Sequence, residues 1–367
     1  MTFCTEKKTD NFRMKALIAM SGGVDSSLSA KLMIDKGFEC IGCTMKLYDN
    51  EDAGIERSHT CCSLDDVEDA RSVAYKLGMP FYVFNFTDAF REKVIRKFIE
   101  SYEKGITPNP CIDCNRYMKF DKLYERAKIL GCDYIVTGHY ARIEEKEGKF
   151  ILKKALDETK DQSYVLYSMT QEQLAHTMFP LGNMRKTDVR AIAEQNGFIN
   201  ADKPDSQDIC FVPNGDYASI IELQTGKKPV CGNFVDKQGN IIGKHNGVIH
   251  YTIGQRKGLG ISSSEPLYVC RICPENNNIV LGKNEDLFSK ESDVTGFNWI
   301  SGTAPKSEFR CKAKIRYRQA EQWATVMPNG KTSVHIVFDE PQRSITPGQA
   351  AVLYDGDTVI GGGTIQG

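Results

Sequence analysis

The stretch Thr107-Pro108-Asn109-Pro110-Cys111-Ile112-Asp113-Cys114-Asn115 places two cysteines three residues apart in a proline-bounded loop. Thiolates bind soft metals, form disulfides or act as nucleophiles, and the C-x-x-C spacing suits all three. Three such pairs occur: Cys40/Cys43, Cys111/Cys114 and Cys270/Cys273. The first and last lie in FECIGCTMKL and LYVCRIC, apolar runs of strand type, where residues three apart face opposite sides of a sheet. Neither can chelate, and both are expected as buried packing cysteines. Cys61 and Cys62 precede a helix without matching partners and are read as packing or unassigned. Cys111 and Cys114 differ, because a loop can turn both sulfurs the same way. A four-cysteine zinc site would need a second C-x-x-C at close separation, and none is present. A thioredoxin-like pair would need the motif to open a helix directly after a strand, which the Pro-Asn-Pro lead-in matches poorly.

A second chemical element follows the strand-like run KALIAM: Ser21-Gly22-Gly23-Val24-Asp25-Ser26-Ser27, after which a helical pattern begins. Two glycines let the backbone turn tightly and approach a ligand, and the amides at a helix start attract an anion such as phosphate. The plainer reading is a strand-to-helix turn capped by Asp25 or Ser26. Its place at the carboxyl end of a first strand favours a ligand site. The loop lacks the Lys of GxxxxGK[ST] and the spacing of GxGxxG.

The elements that must position these residues divide the chain in three. From Lys15 to Gly138, apolar runs of strand length alternate with stretches of helical period, which reads as an α/β, doubly wound parallel sheet over residues 1–212. A polar hairpin over Glu144 to Lys149 interrupts it, and helical patterns follow near Gln171 to Met178 and Thr187 to Asn196. A Gly-rich, turn-rich stretch over 213–290 reads as a small α+β module. Over 291–367, segments such as FRCKAKIRYRQ and TSVHIVFDE bounded by PNG, TPG and DG turns read as an antiparallel β-barrel. At 367 residues the chain can bury more than one core without disulfide staples. The 13 cysteines, without a secretion signal, argue for reduced thiols, and the absence of an apolar run of roughly 18 residues argues against a membrane span. A cytoplasmic protein is expected. A net charge of −1 excludes a globally basic nucleic-acid binder, so such a partner would need local cationic patches.

SGGVDSS resembles the pyrophosphate loop of the PP-loop ATP pyrophosphatases, whose fold is that of the adenine nucleotide alpha hydrolases. Within that superfamily TPNPCIDCN, Thr137-Gly138-His139-Tyr140-Ala141-Arg142, Lys160-Asp161-Gln162-Ser163-Tyr164, DSQDICF ending at Phe211, and YTIGQRKGLG from Tyr251 look like the tRNA-specific 2-thiouridylases. The resemblance runs in order over essentially the whole chain. It implies ATP with Mg²⁺, adenylation of O2 of the wobble uridine, and sulfur delivery to C2 from a cysteine persulfide. Cys114 would then be the nucleophile and Cys210 the persulfide carrier. It further implies ATP contacts from Ala19, Met20, Ser21, Gly22, Gly23, Val24, Asp25 and Ser26, with Met45 and Gly138 against the adenosine and Asp25 as candidate Mg²⁺ ligand. Asn109, Pro110 and Cys111 would face the base, and His139, Lys160, Asp161, Gln162, Arg316, Tyr317 and Gln349 would contact tRNA. A persulfide donor, a cysteine desulfurase or a sulfur-relay protein, is the second implied partner. Cys111 departs from the pattern, which has an aspartate there.

Three sulfurs, Cys111, Cys114 and Cys210, raise an alternative in which they hold an iron–sulfur cluster with one open iron. Two other readings stay open: a PP-loop ligase that forms an amide or lysidine, and a non-catalytic tRNA-binding protein. The strictly alternating Lys312-Ala313-Lys314-Ile315-Arg316-Tyr317-Arg318 would place four basic residues on one strand face about 6.6 Å apart, a stripe suited to phosphates. Gln255-Arg256-Lys257 is a second basic element, with a structural role as its alternative.

Overall fold

The computed structural model describes residues 13–49, 64–205, 209–212 and 215–367; Cys61, Cys62 and the Ser206, Gln207 and Asp208 of DSQDIC lie outside them. Strands β1 (Lys15–Ala19), β2 (Glu39–Lys46), β3 (Phe81–Asn85) and β4 (Tyr134–Val136) alternate with helices, as the hydrophobic periods require. The fifth member of this parallel sheet comes later: β5 (Ala141–Lys146) and β6 (Lys149–Lys154) form the polar hairpin, and β7 (Thr177–Met178) completes the order β3-β2-β1-β4-β7. The helical pattern at 171–178 therefore stops at Ala175, and its last two residues are strand. The order in which strands are added reverses between β1 and the parallel β4, the switch point at which open α/β sheets leave a crevice for ligands.

Each face of this sheet has its own core. Ile18, Leu28, Cys40 and Val136 pack on one side, and Leu17, Cys43, Phe90, Phe98 and Phe211 on the other. Cys40 and Cys43 thus face opposite ways, as the strand period demands, and burial pushes the Cys40 thiol up to about 11. Such thiols stay protonated and inert. Of the other strand pair, Cys273 is buried but Cys270 is only half-buried, because its strand edges the smaller module.

The proline-bounded loop is corrected by the structure. Asn109 caps a helix that opens at Pro110, its side chain accepting from the Cys111 amide at 3.2 Å, and the run continues through wider π-type turns at Cys114–Lys122 to Ile129. Proline costs nothing at the first helical position, where its missing N–H would have had no intrahelical partner. Cys111 and Cys114, three apart at the start of a helix, share a face. Asn109→Ala is expected to lower stability by about 1 kcal/mol, read as a shift in the urea midpoint.

The middle module carries the helix Tyr217–Thr225 and strands β8 (Gly232–Val235), β9 (Ile241–His245), β10 (Tyr268–Cys273) and β11 (Asn278–Gly282) in the order β10-β11-β8-β9. Gln255 turns back on its own loop there, its side-chain amide Nε2 donating to Lys257 O, while Arg256 and Lys257 are exposed. Strands β12 (Phe288–Trp299), β13 (Phe309–Lys314), β14 (Gln322–Pro328), β15 (Ser333–Arg343), β16 (Ala350–Asp355) and β17 (Thr358–Ile365) form a closed antiparallel barrel, with β12 pairing both β15 and β17. The β5–β6 hairpin adds to its wall, Lys153 pairing with Thr358.

The cationic stripe is a second correction. β13 ends at Lys314, and the chain turns, Gln319 N donating to Arg316 O. Only Lys312 and Lys314 of the four basic residues lie on the strand. Ile315 points inward with Ala313, but Tyr317 is 37% exposed rather than sharing their inner face.

Candidate active site

The glycine loop sits at the carboxyl end of β1. Gly22 has φ +74°, and a Cβ there would lie 2.5 Å from Asp66 O, so only glycine fits the turn. Gly23 is the extended N-cap residue of the helix Val24–Asp35, its carbonyl accepting from the hydroxyls of Ser26 at 3.0 Å and Ser27 at 3.1 Å. Ser26 Oγ accepts from Ser21 N at 3.2 Å. Asp25 does not cap the helix. Ala19 ends β1, Met20 is anchored by Met20 N to Cys43 O at 2.7 Å, and Val24 is buried. Gly138, just after β4, packs its backbone on Asp25 and Ser26, where a Cβ would meet both at 2.9 Å. Met45, at the end of β2, is half-buried on the other side of β1. These residues therefore ring the switch-point crevice.

Behind the loop lies a charged network. Lys186, 7% exposed, donates to both oxygens of Asp25 at 2.7 Å and lies 2.8 Å from Asp205. Tyr140 OH also donates to Asp25 at 2.7 Å, while Lys160 and Arg190 reach Asp205 at 2.8 and 3.1 Å. Burial would raise the Asp205 carboxyl, but the hydrogen bonds from Lys160 and Lys186 outweigh it and hold the group at about 2. A carboxyl depressed in the folded state stabilises above its unfolded value near 3.8 and loses that contribution as pH falls through about 2. Asp205 is thus expected to withdraw about 2 kcal/mol of stability between those limits, and Asp205→Asn to flatten that part of a pH series of urea midpoints.

The cysteine-bearing helix start is held from three sides. Lys97 pairs with the buried Asp113 at 2.6 Å, Gln349 Nε2 donates to Thr107 O at 2.9 Å, and Thr107 N donates to Pro347 O at 3.0 Å. Gly348, at φ +89°, lets the barrel turn approach so closely that a Cβ would stand 2.3 Å from Ile106. Tyr317 OH donates to Asp161 O at 3.2 Å. Its phenol is pushed up to about 12 by burial first, then by the Asp161 carboxylate and by Cys111, which places Cys111 in its neighbourhood. Cys111 is exposed and Pro110 buried. Barrel residues Gln349 and Tyr317 therefore meet this stretch at its two ends, Gln349 at Thr107 and Tyr317 near Cys111. Arg316 is turned inward, donating to Ser344 O at 2.9 Å and Thr346 Oγ1 at 2.8 Å. Asp161 accepts from Ala155 N and Ser163 N, and Gln162 Oε1 from Tyr140 N, so both shape the loop that carries Lys160. His139 is 7% exposed between Phe120 and Phe179, bonded to Thr137 Oγ1 at 2.7 Å, and burial and Lys119 keep it neutral.

Cys114 and Cys210 are both half-buried against the core that holds Phe90, Phe98 and Phe211. Tyr48 OH donates to Cys210 O at 2.5 Å. Among the described residues no group of three His, Cys, Asp or Glu side chains is placed to hold a metal ion. Cys111, Cys114 and Cys210 are described, and they do not form a ready ligand set for a cluster.

Comparison with known proteins fits this arrangement. A profile described as the tRNA methyl transferase HUP domain matches residues 14–214, the PRC-barrel domain of that group matches 220–283, and an aminomethyltransferase β-barrel domain matches 289–365. The tRNA-specific 2-thiouridylase MnmA of Clostridioides difficile (strain 630) is 52% identical over 354 residues, 96% of this chain and 98% of its own. The chain belongs to the tRNA-specific 2-thiouridylase family. The protein of that name from Acetivibrio thermocellus is 50% identical over 359 residues, 96% of this chain and 99% of its own. Among solved structures, a complex of a 4-thiouridine synthetase with RNA and bound ATP shares 20% identity over 55% of this chain and 46% of that one, at a TM-score of 0.37, too slight a likeness to argue from. Family membership makes the protein an enzyme of the transferase class with a PP-loop ATP-binding fold.

For a 2-thiouridylase, sequence reasoning overlooked the residues beneath the loop. Lys186 and Asn200 carry no motif of their own, because a buried lysine looks like any helix-starting lysine until the fold surrounds it. One signal was present: Tyr140 and Asp205, the neighbours of Lys186, stand inside the TGHYAR and DSQDIC segments already singled out.

Proposed function

We propose that this 2-thiouridylase uses ATP to convert the wobble uridine of tRNA to 2-thiouridine, releasing AMP and pyrophosphate. The observation that supports it most is the placement of two half-buried thiols, Cys114 and Cys210, against one core beside a glycine loop at the sheet's switch point. The loop amides and helix start would receive the phosphates of ATP, with Met45 and Gly138 flanking the adenosine. Both oxygens of Asp25 already face the Lys186 ammonium, so Mg²⁺ is assigned to the nucleotide phosphates rather than to an open Asp25 site. Asn109, Pro110 and Cys111 would face the base, and Lys160, Tyr317 and Gln349 the RNA around it; His139 and Arg316 would act from behind that surface.

The chemistry balances with two thiols. Uridine O2 attacks the α-phosphorus and displaces pyrophosphate. The outer sulfur of a Cys210 persulfide attacks C2, and AMP leaves with the C2–O2 bond. The Cys114 thiolate then attacks the Cys210 sulfur, breaking the sulfur–sulfur bond to the base. The transferred sulfur is reduced to the thiocarbonyl level, and the two cysteines are oxidised to a disulfide, which an external thiol reduces. A cysteine desulfurase or sulfur-relay protein would reload Cys210. No helix among the described residues is long and apolar enough to cross a membrane, and a cytoplasmic site of action is part of this proposal.

The test is nucleoside mass spectrometry of unmodified tRNA incubated anaerobically with the protein, ATP and a persulfide source. 2-Thiouridine that depends on both ATP and persulfide supports the reading. ATP cleavage with product formation from an amine instead would support a PP-loop ligase and overturn it.

A further inference from the structure

The basic groups around Asp205 do more than neutralise it. Lys186 joins two stretches of chain: Asp25, in the first turn after the glycine loop, and Asp205, five residues before Cys210. Two further contacts run alongside. Asn200 Nδ2 donates to Gly22 O and to Ser27 Oγ, both at 2.9 Å. Lys203 reaches Asp66 at 2.6 Å and Asp69 at 2.8 Å, and Asp66 is the residue whose carbonyl leaves no room for a Cβ at Gly22. Residues 200–205 are thus fastened to the glycine loop at its turn, its flank and its helix. Beyond them, Cys210 is anchored separately, by Tyr48 OH on its carbonyl and by the buried Phe211.

Of these contacts, the Asp25–Lys186–Asp205 bridge is the one a nucleotide would disturb most. A polyphosphate in the loop brings negative charge beside Asp25 and competes for the same ammonium, in surroundings with little water to screen it. The three donors of Lys186 already meet both Asp25 oxygens and Asp205, so a phosphate gains the ammonium only if one of these contacts is given up, and Asp205 retains Lys160 and Arg190 if the one released is its own.

We propose that Lys186 is a positioning residue that couples the glycine loop to the Cys210 stretch, so that nucleotide in the loop alters the accessibility of the Cys210 thiol. The inference rests on the roles proposed above for the loop and for Cys210. It supplies an ordering device: the sulfur carrier responds to whether ATP has arrived.

The experiment is iodoacetamide alkylation of the reduced, full-length protein, followed cysteine by cysteine with peptide mass spectrometry, with and without Mg-ATP. In the wild type, ATP is expected to change the Cys210 rate about fivefold or more, while the exposed Cys231 of the middle module stays constant. Lys186→Met removes the difference, and Lys186→Arg, which keeps the charge, restores part of it. A wild type without an ATP effect on Cys210, or a Lys186→Met protein that keeps the wild-type effect, overturns the proposal. Should Lys186→Met not fold, Asp205→Asn severs the same bridge, and an unaltered ATP response in that variant is equally fatal. Failure of the functional reading itself is separate: the same wild-type preparation would then form no 2-thiouridine.

Discussion

Cys210→Ser and Cys114→Ser are each expected to reduce tRNA thiolation by on the order of 10⁴-fold or more while leaving ATP affinity unchanged, the scale reached when an essential nucleophile is removed. The two losses differ in kind. A serine at 210 cannot carry a sulfane sulfur, so no sulfur reaches the base. A serine at 114 permits the first transfer but cannot break the remaining sulfur–sulfur bond, so tRNA should accumulate as a covalent adduct of Cys210 that thiol reductants release. Both side chains sit at the edge of an apolar core and neither is fully buried, so replacing one sulfur by oxygen should barely disturb packing. Turnover near the wild-type rate by either variant would contradict the sulfur route. Cys40 and Cys43 provide the contrast: both are buried in the sheet, burial raises their thiols, and their serine variants should lose stability without a specific effect on transfer.

Gly22→Ala carries the second large effect. The residue lies at φ +74°, where a side chain costs about 1–2 kcal/mol, and the added Cβ would overlap the Asp66 carbonyl at 2.5 Å, which adds about 1–3 kcal/mol of forced displacement. Expected is a loss of about 2–5 kcal/mol in urea unfolding together with a loss of ATP affinity of tenfold or more, because the displaced backbone is the phosphate cradle. Gly23→Ala is the control: its φ is −92° and the nearest atom to an added Cβ, Ser21 Oγ, is 3.5 Å away. That variant should lose less than about 1 kcal/mol. Equal destabilisation by the two alanines would show that the turn at Gly22 is not what shapes the loop.

The parallel sheet and the barrel were readable from the sequence because their signals are local. Strand-length apolar runs alternate with helical periods up to Gly138, and the barrel strands end at PNG, TPG and DG turns. The same locality explains the failures. Thr177–Met178 is strand only because β4 offers it a partner. The proline-bounded loop became a helix because Asn109 caps it and Pro110 suits the first turn, a signal that was available and outweighed by the two prolines. The alternation of Lys312–Arg318 implied four cations on one face, but strand length is set by pairing, and β13 stops pairing at Lys314. The site divides in the same way. The glycine loop and the thiols announce themselves by residue type, whereas Lys186 and Asn200 gain their roles only when distant stretches close around the loop. The lack of a ready three-sulfur ligand set likewise depends on how the fold places Cys111, Cys114 and Cys210, which their spacing cannot show.

The most direct test of the sulfur route is a single turnover, without reductant, of protein loaded with persulfide at Cys210, followed by non-reducing peptide mass spectrometry. One Cys114–Cys210 disulfide for each 2-thiouridine formed is the predicted result. 2-Thiouridine formed in equal amount with both thiols left free would contradict it.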